Sequence, residues 1–178
     1  VVLVNNTKKK GRKILKGKNF YDTRVFFRKI FKKKKIKIHN PIFWCVSKSQ
    51  KNVLRGLHLQ TKNSQEKYVS VLKGKILDVV IDLRKNSKSF GKHIKIILSE
   101  TNAKSILIPS GCAHGFLGLD KENIVLYSNN NYREKNNEVG LIWNDKNLKI
   151  KWPKKKLIIS KKDKNNLSLK DFCLKYKI

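Results

Sequence analysis

Methionine is absent from this chain, even at position 1, and acidic residues are scarce, with 12 Asp and Glu against 43 Lys and Arg in 178 residues. The missing initiator points to a start that was processed, trimmed or engineered. The three cysteines, Cys45, Cys112 and Cys173, lie far apart and form no CxxC pair. That argues against a zinc ribbon or a disulfide framework and leaves buried free thiols as the expectation. No run approaches the roughly 18 to 20 apolar residues that a membrane-spanning helix needs. The apolar patch of VVLVNNTKKKGRK also precedes its charges, the reverse of a secretory signal. A cytoplasmic protein without membrane attachment is expected. Repeats and low-complexity linkers are lacking too, and with 39% hydrophobic side chains the length suits one domain spanning residues 1–178.

What is abundant is lysine. The formal net charge of +31 would ordinarily direct attention to nucleic acid. The runs TKKKGRK, FKKKKIKI, PKKK and SKKDK are, however, spread along the whole chain. Lysine far outnumbers arginine, whose planar fork is favoured at base-reading and bidentate phosphate sites. Nonspecific attraction to polyanions follows from this charge, whereas evolved nucleic-acid recognition does not. The same field favours a small anionic substrate.

Short alternating segments dominate the pattern. KYVSVLKGKILDVVIDL reads as two strands about a turn at Lys73 and Gly74. In the second strand Leu77, Val79, Ile81 and Leu83 alternate with Ile76, Asp78, Val80 and Asp82, which sets both aspartates on one face. KSFGKHIKIILS, KSILIPSGCAHGFLGL and NIVLYSNNNY supply further strands broken by Pro-Ser-Gly and Asn clusters. FYDTRVFFRKIF fits a strand or a short helix equally well. A basic arm precedes these segments, and ISKKDKNNLSLKDF reads as loop followed by a short helix. The pattern indicates an all-β sandwich or barrel.

Two of the four histidines stand in informative surroundings. His58 lies in KNVLRGLHLQ, where alternation would point it into whatever the strand lines. His114 follows the tight PSGCAHG turn. His39 and His93 lack such context and read as surface residues. With Arg55, Lys67, Tyr127, Glu138 and Asp163 the chain holds a base, an acid, a cation and anion-binding groups. Three readings compete for them. The histidines could be ligands in a metal-dependent cupin, although Gln60 stands where a second histidine would, and Glu66 is the only nearby carboxylate. They could be structural. Or His58 could be a general base in a metal-free site, oriented by a carboxylate and opposed by a tyrosine. Periodicity alone leaves all three open.

The segments NVLRGLHLQ, QEKYVSVLKGKILDVVIDLRKNSKSFGKH, IPSGCAHGFLGL, VLYSNNNY and GLIWNDKNLKIKWP follow one another in the order and spacing of dTDP-4-dehydrorhamnose 3,5-epimerases. The resemblance covers about residues 14–165. It implies a double-stranded β-helix, the cupin-like jelly roll, in a homodimer that uses no metal and no cofactor. It further implies action on a nucleotide-linked 4-keto-6-deoxyhexose, in rhamnose and deoxysugar biosynthesis for cell-surface polysaccharides such as O-antigen. By that resemblance His58 is the base, Asp163 its carboxylate partner, Tyr127 the proton donor on the opposite face and Lys67 the cation beside the enolate oxygen. Arg24, Arg55, His114, Glu138 and Lys162 match substrate- or nucleotide-binding positions, and Tyr132 a second active-site tyrosine.

The chemistry suits these residue types. Hydrogens beside a ketone are acidified because their loss gives an enolate, and a neutral histidine is a suitable base near neutral pH. A noncatalytic basic jelly roll binding polyanions is the alternative. The chain departs from the family pattern in DTRVFFRK, where Val25 replaces a glycine and Lys29 a glutamate. A positive φ at position 25 would strain valine. It departs again in FWCVSKS, where the family often has Gln-x-Asn. Both departures are expected in nucleotide-binding or dimer-contact regions rather than on the proton-transfer residues.

Overall fold

Alternation in KILDVVID has a direct structural counterpart: the strand is buried on both faces. The computed structural model describes residues 2–6, 12–31, 40–153 and 156–178, so His39 and most of the FKKKKIKI run lie outside the described residues. Among these residues the chain forms β1 (Val2–Asn6), β2 (Lys13–Lys16), β3 (Asn19–Asp22), β4 (Val25–Arg28), β5 (Phe43–Gln50), β6 (Val53–Gln60), β7 (Lys67–Lys73) and β8 (Lys75–Asp82). There follow β9 (His93–Ser99), β10 (Lys104–Ile108), β11 (Cys112–Gly118), β12 (Glu122–Asn129), β13 (Glu138–Gly140), β14 (Ile158–Ile159), α1 (Lys161–Lys164) and α2 (Leu169–Tyr176).

The strands make a jelly roll of two main sheets, ordered β1-β2-β10-β7-β12-β5 and β13-β6-β11-β8-β9, with β14 parallel to β6. One core lies between the sheets. There Ile76 and Val80 of β8 meet Val69, Val71, Ile106 and Val125 of the six-stranded sheet. Leu77, Val79, Ile81 and Leu83 face the other way and pack with Leu54, Leu57, Leu141 and Phe172, so the C-terminal segment covers the outer face. Burying each such side chain contributes about 1.5–3 kcal/mol.

The turn at Lys73 and Gly74 lies where the sequence indicates, yet the strands on either side of it are not partners. β7 pairs with β10 and β12, and β8 with β9 and β11. Gly74 is a corner at which the chain leaves one sheet for the other. Its φ is 81°, and a Cβ there would stand 2.1 Å from the Glu122 carbonyl oxygen.

FYDTRVFFRKIF resolves as strand: β3 and β4 form a separate hairpin with Asp22 opposite Val25. Val25 has φ 97°, so valine occupies the strained conformation that its replacement of glycine implied. The basic N-terminal arm includes strand, since β1 pairs with β2 and β2 with β10. The thiols are free as expected, but only Cys112 is buried; Cys45 and Cys173 are half-buried. His93 is likewise half-buried at the start of β9. Among the described residues no helix is long and apolar enough to cross a membrane.

Candidate active site

The RGLH segment owes its shape to Gly56, which has φ 114° and lies so near β11 that a Cβ would stand 2.6 Å from Gly115 Cα and 2.7 Å from the His114 carbonyl oxygen. Only glycine fits such an approach at positive φ. The Gly56 N–H donates to Asp163 Oδ2 at 3.1 Å, and Asp163 Oδ1 lies 2.6 Å from His58 Nε2. Asp163 sits on α1, where its own N–H donates to the Ser160 hydroxyl that caps the helix. Burial works to raise the Asp163 pKa, but the His58 hydrogen bond and charge, together with the Gly56 N–H, outweigh it and hold the group below its ordinary value. Asp163 is buried, whereas the His58 side chain keeps 27% of its exposure, enough to meet a ligand.

His58 opens into a cavity of about 610 Å³ that also receives Arg55, Lys67, His114, Tyr127, Glu138 and Lys162. Both sheets contribute. His58 and Arg55 come from β6 and His114 from β11 of one sheet; Lys67 comes from β7 and Tyr127 from β12 of the other. Tyr127 Oη lies 3.0 Å from Ser47 Oγ. Burial pushes the Tyr127 hydroxyl well above its ordinary pKa, and Ser47 and Arg55 only partly offset this. Burial also depresses Lys67, against the raising influence of the Glu138 charge.

Each remaining polar group has a fixed partner. His114 Nε2 is 2.7 Å from Asp78 Oδ2, both side chains being buried, and the His114 ring stands edge-on to Tyr127 with centroids 6.3 Å apart. Arg55 Nε donates to Ser49 Oγ at 2.8 Å and its Nη2 to the Lys48 carbonyl at 3.1 Å, so neutral acceptors aim it. Arg133 Nε donates to Glu138 Oε2 at 2.6 Å, and Lys162 Nζ binds Oε1 of the same carboxylate. Burial would raise the Glu138 pKa; these two donors bring it down to about 2. Glu138 thereby holds two cations at the cavity wall.

Arg24 and Tyr132 are not brought to this cavity. Arg24 is 87% exposed in the β3–β4 turn and pairs with Asp22 at 2.6 Å. Tyr132 is exposed as well, its ring 6.1 Å from that of Phe43, which does line the cavity. Of the two departures in sequence, Val25 and Lys29 lie on or beside the exposed hairpin, outside the cavity lining. Phe43 and Cys45 of FWCVSKS are part of the cavity wall, and Cys45 stands opposite Tyr127 in the β5–β12 register. The second departure therefore falls on cavity-lining residues that neighbour Tyr127 without altering His58 or Tyr127 themselves.

Three residues at the site escaped sequence reasoning: Asp78, Ser47 and Arg133. For Asp78 a signal existed, because alternation set it on the face opposite the Leu77 face. Its partner became apparent only through the β8–β11 register, which sets Asp78 opposite Phe116, two residues from His114. Among the described residues no three His, Cys, Asp or Glu side chains form a group able to hold a metal ion. His58 and His114 instead direct their Nε2 atoms at separate carboxylates.

A family model described as dTDP-4-dehydrorhamnose 3,5-epimerase matches residues 6–171. The dTDP-4-dehydrorhamnose 3,5-epimerase of Escherichia coli is 38% identical over 163 residues, 88% of each chain. A crystal structure of dTDP-4-dehydrorhamnose 3,5-epimerase from Elizabethkingia anophelis aligns with a TM-score of 0.88 at 36% identity, covering 96% of this chain and 97% of that one. A 3,5-epimerase from Legionella pneumophila, in complex with dTDP-4-keto-L-rhamnose, aligns with a TM-score of 0.90 at 34% identity over 95% and 93% of the two chains. On this similarity of sequence and fold, the chain belongs to the dTDP-4-dehydrorhamnose 3,5-epimerase family.

Proposed function

We propose that the protein is an isomerase that epimerises a dTDP-linked 4-keto-6-deoxyhexose at the carbons flanking its ketone. The observation that carries this reading is the division of the cavity. A carboxylate-bound histidine enters from one sheet, and a tyrosine hydroxyl enters from the other. Inversion at carbon needs such a pair, because the proton leaves from one face and another arrives on the opposite face.

His58 takes the proton through the ring nitrogen not bonded to Asp163, and the carboxylate stabilises the imidazolium that forms. The C–H electron pair moves into the enolate, whose oxygen is met by the Lys67 ammonium. That charge develops only as the proton departs, so the interaction favours the transition state over bound substrate. Tyr127 then delivers its proton to the other face. Arg55, His114, Arg133 and Lys162 offer donors to the sugar and diphosphate. No step transfers electrons between molecules, so the cycle requires no redox cofactor.

A homodimer is part of the proposal, supported by exposed Phe20, Tyr21 and Phe27 on the β3–β4 hairpin and exposed Trp44 and Val46 on edge strand β5. Arg24, in the turn of that hairpin, would then serve a site only through a neighbouring copy. A cytoplasmic role in rhamnose biosynthesis, supplying cell-surface polysaccharide such as O-antigen, accords with the dTDP-sugar named for the relatives.

Proton NMR of dTDP-4-keto-6-deoxyglucose in deuterated buffer tests the reading. The protein is expected to erase the signals at carbons 3 and 5, and His58→Ala to abolish that exchange while circular dichroism stays unchanged. Exchange that persists in a folded His58→Ala protein would overturn the assigned base. Binding of polyanions indifferent to His58, without exchange, would favour the noncatalytic alternative.

A further inference from the structure

Edge strand β5 presents alternate side chains to the site: Phe43, Cys45 and Ser47 line the cavity, and Ser49 follows on the same face beneath Arg55. Ser47 and Ser49 each make one bond to a working group. The Ser47 hydroxyl lies 3.0 Å from Tyr127 Oη, and the Ser49 hydroxyl accepts from Arg55 at 2.8 Å. The structure brings Ser47 to Tyr127 through register, since β5 and β12 run antiparallel with Ser47 opposite Val125 and Cys45 opposite Tyr127.

We propose that Ser47 is a positioning residue for Tyr127, donating the hydrogen bond that stabilises the tyrosinate left when Tyr127 protonates the enolate. This inference rests on the epimerase reading above. In that step the Tyr127 O–H bond breaks and a C–H bond forms from the enolate electron pair, while the O–H pair remains on the tyrosine oxygen. Water entering the cavity later returns a proton to Tyr127, and the imidazolium of His58 releases one, so the cycle balances.

The surroundings make such a donor necessary. Tyr127, half-buried on β12 of the six-stranded sheet, faces the His114 ring, which is bonded to the Asp78 carboxylate. Burial and the Asp78 charge both oppose a phenolate, whereas Ser47 and Arg55 favour one. Arg55 is itself held by Ser49, leaving Ser47 as the side chain hydrogen-bonded to the phenol. A hydroxyl can accept from the neutral tyrosine and reverse to donate once the charge appears, without moving either oxygen. A hydrogen bond to a charged partner is stronger than one between neutral groups, so the contact is worth more after proton transfer than before it.

The test separates abstraction from inversion. In deuterated buffer, with dTDP-4-keto-6-deoxyglucose, the ratio of inverted product to total exchanged substrate is measured for wild type, Ser47→Ala, Ser47→Thr and Tyr127→Phe. Ser47→Ala is expected to lower that ratio about tenfold, as loss of one charge-assisted hydrogen bond would. Ser47→Thr, which keeps the hydroxyl, is expected to restore most of it. Tyr127→Phe sets the floor. A Ser47→Ala ratio equal to wild type would overturn the inference, as would failure of Ser47→Thr to exceed Ser47→Ala when both melt as wild type does. Absence of exchange in wild type would count against the epimerase reading itself, a different result.

Discussion

His58 and Asp163 are 105 positions apart in the chain and 2.6 Å apart in the fold. The same carboxylate accepts from the Gly56 N–H, so one acidic group fixes both the ring and the backbone two residues before it. Asp163→Asn keeps the shape but removes the charge that would stabilise the imidazolium. It is expected to lower the exchange rate about a hundredfold, within the range typical of a general base. Stopped NMR time courses would measure this; a change smaller than threefold would mean that His58 works without its partner.

Lys67 must be charged to meet an enolate oxygen, and burial depresses its pKa from the ordinary 10.5. Wild-type activity is therefore expected to fall on the alkaline side below that value, as the ammonium is lost. Lys67→Gln should cost about a hundredfold in kcat, as for removal of an oxyanion donor, and the residual rate should lack the alkaline limb. Rates from pH 6 to pH 10 compare the two.

Glu138 gives the fold an acid dependence. Its pKa is held down from 4.5 to about 2 by Arg133 and Lys162, against the effect of burial. A carboxylate whose pKa is lower when folded stabilises the protein above its unfolded pKa, and loses that contribution as pH falls toward the folded value. The melting-temperature difference between wild type and Glu138→Gln should hence be full near pH 6 and shrink from about pH 4.5 downward. A difference constant over that window would contradict the assigned linkage.

Val25 carries φ 97° on an exposed hairpin, a conformation that costs a β-branched residue about 1–2 kcal/mol. Val25→Gly removes that strain but adds freedom to the unfolded chain, costing up to about 1 kcal/mol. A net gain of up to about 1 kcal/mol in denaturant unfolding is expected, with Val25→Ala gaining less. Loss of stability in Val25→Gly would show that the side chain contributes more than its backbone costs.

Strand positions were legible wherever alternation was strict: β8 and its two faces follow from Leu77 to Leu83 and Ile76 to Asp82. The partners of those strands were not, because period-two alternation reports a face and says nothing of which sheet receives it. Gly74 marks a turn in sequence, but only its contact with Glu122 reveals a corner between sheets. FYDTRVFFRKIF left helix and strand open, since four-residue strands are too short to establish a period. At the site, His58 and His114 drew attention as rare residues among lysines. Asp78, Ser47 and Arg133 did not, because what matters in each is the neighbour that register or loop geometry supplies. Resemblance alone assigns Arg24 and Tyr132 to the site, and a single copy of the chain does not bring them to the cavity.

The corner at Gly74 bears on how quickly the protein acquires its activity. With β7 and β8 sent to different sheets, strands must find partners far along the chain: β5 waits for β12, and β6 for β11, β13 and β14. Such topologies fold slowly, because loop closure precedes the contacts that reward it. The cavity needs both sheets, and His58 is bonded to a carboxylate from the C-terminal segment. Catalytic competence consequently belongs to the last stage of folding, and recovery of turnover after dilution from denaturant reports completion of the whole jelly roll.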